Sequence, residues 1–266
     1  AAFHLSKAVD IKPGFAAALG NLGNVYRALG RLTESETIFR RAIALDSSPI
    51  LFNNLGTTLI DMDRIVEAET CYRRALEINP EFALGYTNLG VSLRKQGRLD
   101  EAIKAQRRAV RLNPQNTEQH SNLLFTLNYT TSTTNFFHLE EAQQFGKMLR
   151  RKVKEPFSSW LCSSQPDRLR VGIVSGDLYN HPVGFFLESI INNVDSTRIE
   201  IIAYPTNPKA DDLTARIKTC FHAWRPLTGI EDDVAAKMIR DDGVHVLLDL
   251  SGHTSHNRLP MFAWKP

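Results

Sequence analysis

The tripeptide Asn-Leu-Gly occurs at 21–23, 54–56 and 88–90, in steps of 33 and 34 residues, and this recurrence limits the possible folds more than any other feature of the chain. Ala8, Ala42, Ala75 and Ala109 keep the same step, and Pro13, Pro80 and Pro114 close three of the units. Within a unit, Leu22, Val25, Tyr26 and Leu29 fall at i, i+3, i+4 and i+7, the apolar stripe of one helix face. The step fits a pair of antiparallel helices, with small residues where they approach and proline where the second one stops.

Pairs of that length are tetratricopeptide repeats. The period predicts the end of one repeat, three complete repeats at about 14–47, 48–80 and 81–114, and a further helix around Gln119–Tyr129. Such units bury their apolar faces only against their neighbours, so residues 1–130 are expected to stack into a superhelix whose default role is to bind a polypeptide. Asparagine recurs at one phase, as Asn21, Asn54, Asn88 and Asn122. An amide side chain both donates and accepts, so a row of them suits a polypeptide backbone whatever its side chains, and equally suits bridging between adjacent repeats.

Other recurrences read more plainly. Arg40-Arg41, Arg73-Arg74 and Arg107-Arg108 fall on the second helix of each unit and read as a solvated face. Aromatic residues do not interleave with them and the net charge is +3, so no nucleic-acid partner is expected. Asp61-Met62-Asp63 has the Asp-x-Asp form of a divalent-ion site. It stands at the inter-helix turn where the neighbouring repeats have Gly30 and Gly97, so turn chemistry accounts for it.

Past 130 the pattern changes. A polar loop at Thr130–Asn135, a helical stretch at Leu139–Val153 and a Ser/Pro-rich run to Pro166 read as a linker over 131–166, with a second domain over 167–266. There strands at Leu169–Ser175, Ile199–Tyr204 and Val244–Leu250 alternate with helices at Val183–Asn192, Leu213–Cys220 and Val234–Arg240, and a last helix starts near Arg258. Alternation of that kind predicts a parallel, Rossmann-like α/β sheet. The Gly-x-Gly-x-x-Gly fingerprint of dinucleotide binding is absent. The turns Ser175–His181 and Ser251–Asn257 then lie beyond the carboxyl ends of strands, where open α/β sheets place ligands.

The order of these features, repeats, then Val174-Ser175-Gly176-Asp177 with Asn180-His181-Pro182, then Asp249-Leu250-Ser251-Gly252-His253-Thr254, resembles the bacterial-type O-GlcNAc transferase family. The resemblance implies a GT-B glycosyltransferase with two Rossmann-like lobes, of which this chain holds most of the first. It implies transfer of N-acetylglucosamine from UDP-GlcNAc to Ser or Thr of proteins, with inversion and without a metal, and with acceptor proteins held by the repeats through Asn21, Asn54, Asn88 and Asn122. Related proteins of this architecture use GDP-fucose or UDP-glucose, and a non-catalytic scaffold with a degenerate lobe is the remaining alternative. His181 matches the family's histidine near the reacting centre, and His253 and His245 are further candidates for proton transfer, against structural readings as a helix cap, a turn residue and a core residue. Asp177, Asn180, Pro182, Asp249 and Thr254 are expected to support the turns. The sugar nucleotide is expected to be held mostly by the second lobe.

Because the chain starts at Ala1 inside a repeat and stops at Trp264-Lys265-Pro266 in mid-domain, it reads as a piece of a longer protein, inactive or nearly so alone. Cys71, Cys162 and Cys220 lack disulfide or zinc spacing and are expected to be reduced, small buried hydrophobes. No apolar run is long enough to span a membrane, and a cytoplasmic location is expected.

Overall fold

The computed structural model describes residues 2–130 and 135–266, so the expected polar loop at Thr130–Asn135 lies largely outside the described residues. The chain divides into two compact units, Ala1–Glu141 and Ala142–Pro266.

The first unit is a run of helices: α1 (Ala2–Ile11), α2 (Ala16–Ala28), α3 (Leu32–Leu45), α4 (Pro49–Asp61), α5 (Ile65–Ile78), α6 (Ala83–Lys95), α7 (Leu99–Leu112) and α8 (Thr117–Leu127). The pairs α2/α3, α4/α5 and α6/α7 are the three expected repeats. Glycine sets the approach within each pair. A Cβ at Gly23 would stand 2.8 Å from the Phe39 ring, at Gly56 2.6 Å from the Tyr72 ring, and at Gly90 2.5 Å from the Gln106 side chain. Rings therefore fill the slot in the first two repeats and an amide fills it in the third. Gln106 is 1% exposed, and neither of its amide atoms is hydrogen-bonded. Ala42, Ala75 and Ala109 are fully buried, as the small-residue step requires.

Between the helices of a pair the chain passes through the left-handed region, with φ of 72° at Gly30, 59° at Asp63 and 75° at Gly97. Asp63 thus does the work of a turn glycine, since a short polar side chain tolerates that conformation. Neighbouring repeats are joined by the arginines that precede α5 and α7. Arg64 donates to Glu36 of the preceding repeat at 2.5 Å and to Glu67 at 2.7 Å, and Arg98 likewise donates to Glu69 at 2.8 Å and Glu101 at 2.6 Å. Arg40 and Arg73 join the same networks through Glu36 and Glu69. The arginine-rich face is therefore ion-paired across repeats, a feature that the pairing of charges between units hid from a single-helix reading. Burial pushes the Glu69 carboxyl up, but hydrogen bonds from Gln96, Arg73 and Arg98 outweigh it and hold the group below its ordinary value.

In the second unit, following α9 (Asn135–Lys152), four strands alternate with helices: β1 (Leu169–Ser175), α10 (Pro182–Ile191), β2 (Ile199–Pro205), α11 (Asp212–Lys218), β3 (Ala223–Trp224), α12 (Asp232–Asp241) and β4 (Val246–Asp249). The sheet order is β3-β2-β1-β4 and every pairing is parallel, with Ser175 opposite Pro205 and Val174 opposite Asp249. Alternate residues of β1 and β2 serve two cores. Ile173 and Ile201 pack under α10 and α11, while Val174, Ile202 and Tyr204 pack under α12 and Met261.

Three features differ from expectation. The two-residue strand β3 is too short to show a period. The last helix is a 3-10 turn, Leu259–Trp264, opened by Pro260. The Ser/Pro-rich run packs on the sheet unit: Phe157 N–H donates to Trp264 C=O at 2.9 Å, and Ser159 C=O accepts from Arg240 at 3.0 Å. Its polar backbone finds partners there, and these residues fall within the second compact unit. All three cysteines are unpaired; Cys71 and Cys162 are half-buried, whereas Cys220 is exposed at the end of α11 and does not behave as a core hydrophobe. Burial pushes the Cys71 thiol up to about 11. No helix of the described residues is long and apolar enough to cross a membrane.

Candidate functional site

Because the strands are parallel, the turns after β1, β2 and β4 all leave from one edge of the sheet. Short polar side chains sew them together. Ser251 Oγ accepts the Gly176 N–H at 2.9 Å, joining the turn after β4 to the turn after β1. Thr206 N–H donates to Ser175 C=O at 2.9 Å, and its hydroxyl donates to His256 C=O at 2.6 Å. Asn180 N–H donates to the Asp211 carboxylate at 2.7 Å, and Thr214 Oγ1 donates to Leu178 C=O at 2.8 Å. Ser175, Ser251, Thr206 and Thr214 are all buried, so the bonds they make are kept from competing water, whereas the Asn180–Asp211 bond is exposed.

Pro182 opens α10 as its first residue, where its missing N–H is no loss. His181 precedes it as the N-cap, with Nδ1 accepting the Val183 N–H at 3.3 Å and lying 4.0 Å from Asp177 Oδ1. A neutral His181 that accepts at Nδ1 carries its proton on Nε2, so this edge is presented with an N–H donor. A capping role is thus in place for His181, and it is compatible with a ligand contact through Nε2. α10 sits close over the turn: a Cβ at Gly184 would stand 2.3 Å from Tyr179 C=O.

Asp249 shapes the second turn, its carboxylate accepting from Ser251 N–H at 3.1 Å and Gly252 N–H at 2.9 Å. Burial pushes its pKa up despite those bonds. Thr254 Oγ1 donates to Ser251 C=O at 2.8 Å and closes the turn. His253 is half-buried with its ring edge-on to Phe145, centroids 5.3 Å apart, and burial lowers its pKa below 6.5. Burial thus favours its uncharged form.

His245 is not brought to this edge. It precedes β4, at the amino end of the sheet, where Nδ1 accepts the Arg170 N–H at 3.0 Å and Nε2 lies 3.1 Å from Ser163 C=O. Both ring nitrogens are used in tying the Ser/Pro-rich run to β1, and the proton-transfer expectation for His245 is corrected to a structural one. Among the described residues no three His, Cys, Asp or Glu side chains converge as metal ligands.

On the repeats, Asn21, Asn54, Asn88 and Asn122 keep their common phase on the first helices. Asn88 Nδ2 donates to Asn53 Oδ1 of the preceding repeat at 2.8 Å, so bridging operates at that position and leaves the Asn88 oxygen to accept from elsewhere. Asn21 is exposed, and Asn54 and Asn122 are half-buried.

Sequence reading did not single out Asp211, Thr214, Thr206 or Gly184. Asp211 and Thr214 form a capping box on α11, and Asp-x-x-Thr ahead of an amphipathic stretch is a legible start signal. Nothing in the sequence indicates that Asp211 also reaches Asn180.

The sequence pattern that defines glycosyl transferase family 41 matches residues 103–266, more than half of the chain. The chain belongs to glycosyl transferase family 41. Tetratricopeptide-repeat patterns match residues 14–81 and 53–117. Among curated relatives, the tomato (Solanum lycopersicum) protein named probable UDP-N-acetylglucosamine--peptide N-acetylglucosaminyltransferase SPINDLY is 31% identical over 150 residues, 54% of this chain and 16% of its own length. The Arabidopsis thaliana protein of the same enzyme name, SEC, is 30% identical over 102 residues, 37% of this chain and 10% of its own. The solved Thermobaculum terrenum O-GlcNAc transferase mutant K341M superposes with TM-score 0.79 and 29% identity, over 94% of this chain and 48% of that one. The family 41 chain therefore spans about half of that solved relative and a much smaller share of the curated ones. The superposition supports the repeat superhelix and the first GT-B lobe as its architecture.

Proposed function

We propose that this chain supplies the acceptor-binding superhelix and the first lobe of a protein O-glycosyltransferase that moves N-acetylglucosamine from UDP-GlcNAc to Ser or Thr. The observation that carries this reading is the hydrogen bond between Gly176 and Ser251, which makes one site of the two turns that carry His181 and His253 at the edge where α/β sheets hold ligands. The names of the SPINDLY and SEC relatives support UDP-GlcNAc as the donor.

In the reaction the acceptor hydroxyl oxygen attacks the anomeric carbon, the bond to the diphosphate breaks with inversion, and the hydroxyl proton leaves to a base. His253, half-buried and with its uncharged form favoured by burial, is the proposed acceptor of that proton. His181 presents Nε2–H to the incoming group while its Nδ1 holds the helix start. Asp177, Asn180, Asp249 and Thr254 hold the turns. The diphosphate is met without a metal by a second lobe, and the acceptor lies along Asn21, Asn54, Asn88 and Asn122. The cytoplasm is the proposed location.

Calorimetric titration of UDP and GDP into this chain, and into a chain extended through a second lobe, tests the reading. UDP binding confined to the extended chain is expected. Tight nucleotide binding to residues 1–266 alone would overturn the split site, and GDP in place of UDP would change the donor. In the extended enzyme His253→Ala is expected to lower kcat with little change in UDP affinity.

A further inference from the structure

At the carboxyl end of α6 the Arg94 guanidinium lies over the Phe125 ring, 4.7 Å from its centroid. The side chain is half-buried and its Nε is enclosed without a hydrogen-bond partner. Burial also lowers its pKa, an effect opposed by the nearby Tyr129 phenol. Among the described residues no carboxylate pairs with it, and a half-buried cation without one is unfavourable unless something else supplies it.

The repeats show what is lacking. In the first junction Arg27 of α2 faces Asp61 of α4 at 3.9 Å. Counting from the asparagine row, Arg94 stands at the phase of Arg27, and Tyr129 at the phase of Asp61. The third junction has kept the cation and exchanged the acid for a phenol. Asn122 and Phe125 fall at i and i+3 on one face of α8, Tyr129 follows in the turn just past its end, and the Phe125 and Tyr129 rings meet edge-on at 5.2 Å. The arginine and its aromatic floor therefore continue the asparagine row by one turn.

We propose that Arg94, Phe125 and Tyr129 form a notch that receives the carboxylate of an Asp or Glu side chain from an extended polypeptide lying along the asparagine row, an inference that rests on the repeats binding such a polypeptide. The planar guanidinium, held flat by the ring beneath it, offers paired N–H donors that match a carboxylate. The incoming anion stands in for the missing partner of the first junction. The Tyr129 hydroxyl, at the rim, supplies a further donor.

The test is an array of Ser/Thr-containing peptides, each carrying Glu or Gln at one position, probed with the whole chain, followed by fluorescence anisotropy of the binders. The Glu form is expected to bind about tenfold more tightly than the Gln form at one position, with the difference shrinking at high salt. Arg94→Gln is expected to erase the preference while leaving Gln-form affinity and the helical circular-dichroism signal unchanged. Arg94→Lys is expected to restore part of it. Asn54→Ala with Asn88→Ala is expected to weaken both forms alike. Equal binding of Glu and Gln forms, or an undiminished preference in Arg94→Gln, would overturn the notch and leave the peptide groove standing. Failure of every peptide to bind would remove the groove, and the notch with it.

Discussion

The two units are held together over different distances along the chain. In the repeats Arg64 reaches Glu36 across 28 residues and Arg98 reaches Glu69 across 29, each a bond to the next unit and no further. In the lobe Gly176 meets Ser251, and Arg170 meets His245, across 75 residues each. Damage to a repeat therefore stays near its own interface, because stability there is a sum over neighbours. Damage to the lobe is shared by strands that were far apart in sequence, including those that carry the candidate site.

The sharpest way to break this contrast is Gly184→Ala. The new Cβ would meet Tyr179 C=O at 2.3 Å and Leu213 at 2.9 Å, and backbone does not yield as a side-chain tip does. A loss of about 3 kcal/mol is expected, confined to the second unit and read as an early transition in urea unfolding with the helical signal of the repeats retained. Loss of both units together would show that they unfold as one.

Next in size is Glu69→Gln, expected to cost about 2 kcal/mol because Arg98 and Arg73 lose a charged acceptor. The linked acid effect has a definite sign. The Glu36 and Glu69 carboxyls titrate below 4.5 in the folded chain, so their contribution is present above pH 4.5 and disappears as the pH falls through the folded values. Helical circular dichroism of the repeats should thus become less resistant to urea below pH 4.5, and Glu69→Gln should flatten that dependence.

Smaller still is Ser251→Ala, which strands the Gly176 N–H. It should cost about 1–2 kcal/mol and speed amide exchange at Gly176 more than at Asn88. The smallest effect is a gain. Asp63→Gly relieves a residue at φ 59° and is expected to stabilise the second repeat by up to about 1 kcal/mol, read as a small rise in the urea midpoint. A loss would mean that the Asp63 side chain holds its turn.

Where a rule repeats, it could be read. The three helix pairs follow from the Asn-Leu-Gly step, and the turn role of Asp63 follows from its alignment with Gly30 and Gly97. In the lobe, β1 and the helix opened by Pro182 were legible because a buried run gives way to a start signal. β3 was not, since two residues carry no period. The site was legible only in its turns. That His245 leaves the candidate edge depends on which end of β4 it occupies, and that Asp211 reaches Asn180 depends on two loops meeting. Neither contact leaves a local mark, because both are set by strand order.

The arginine that precedes each second helix has a consequence for the chain's history. Arg64 and Arg98 make the same pair of contacts, one to the preceding repeat and one to their own. Excision of residues 65–98 would bring Arg64, with Glu36 still behind it, up against residue 99 and the rest of the third repeat's second helix, and the Glu36 link would survive the splice. Length can thus be gained or lost one repeat at a time without leaving a charge unanswered, and the number of repeats is free to drift.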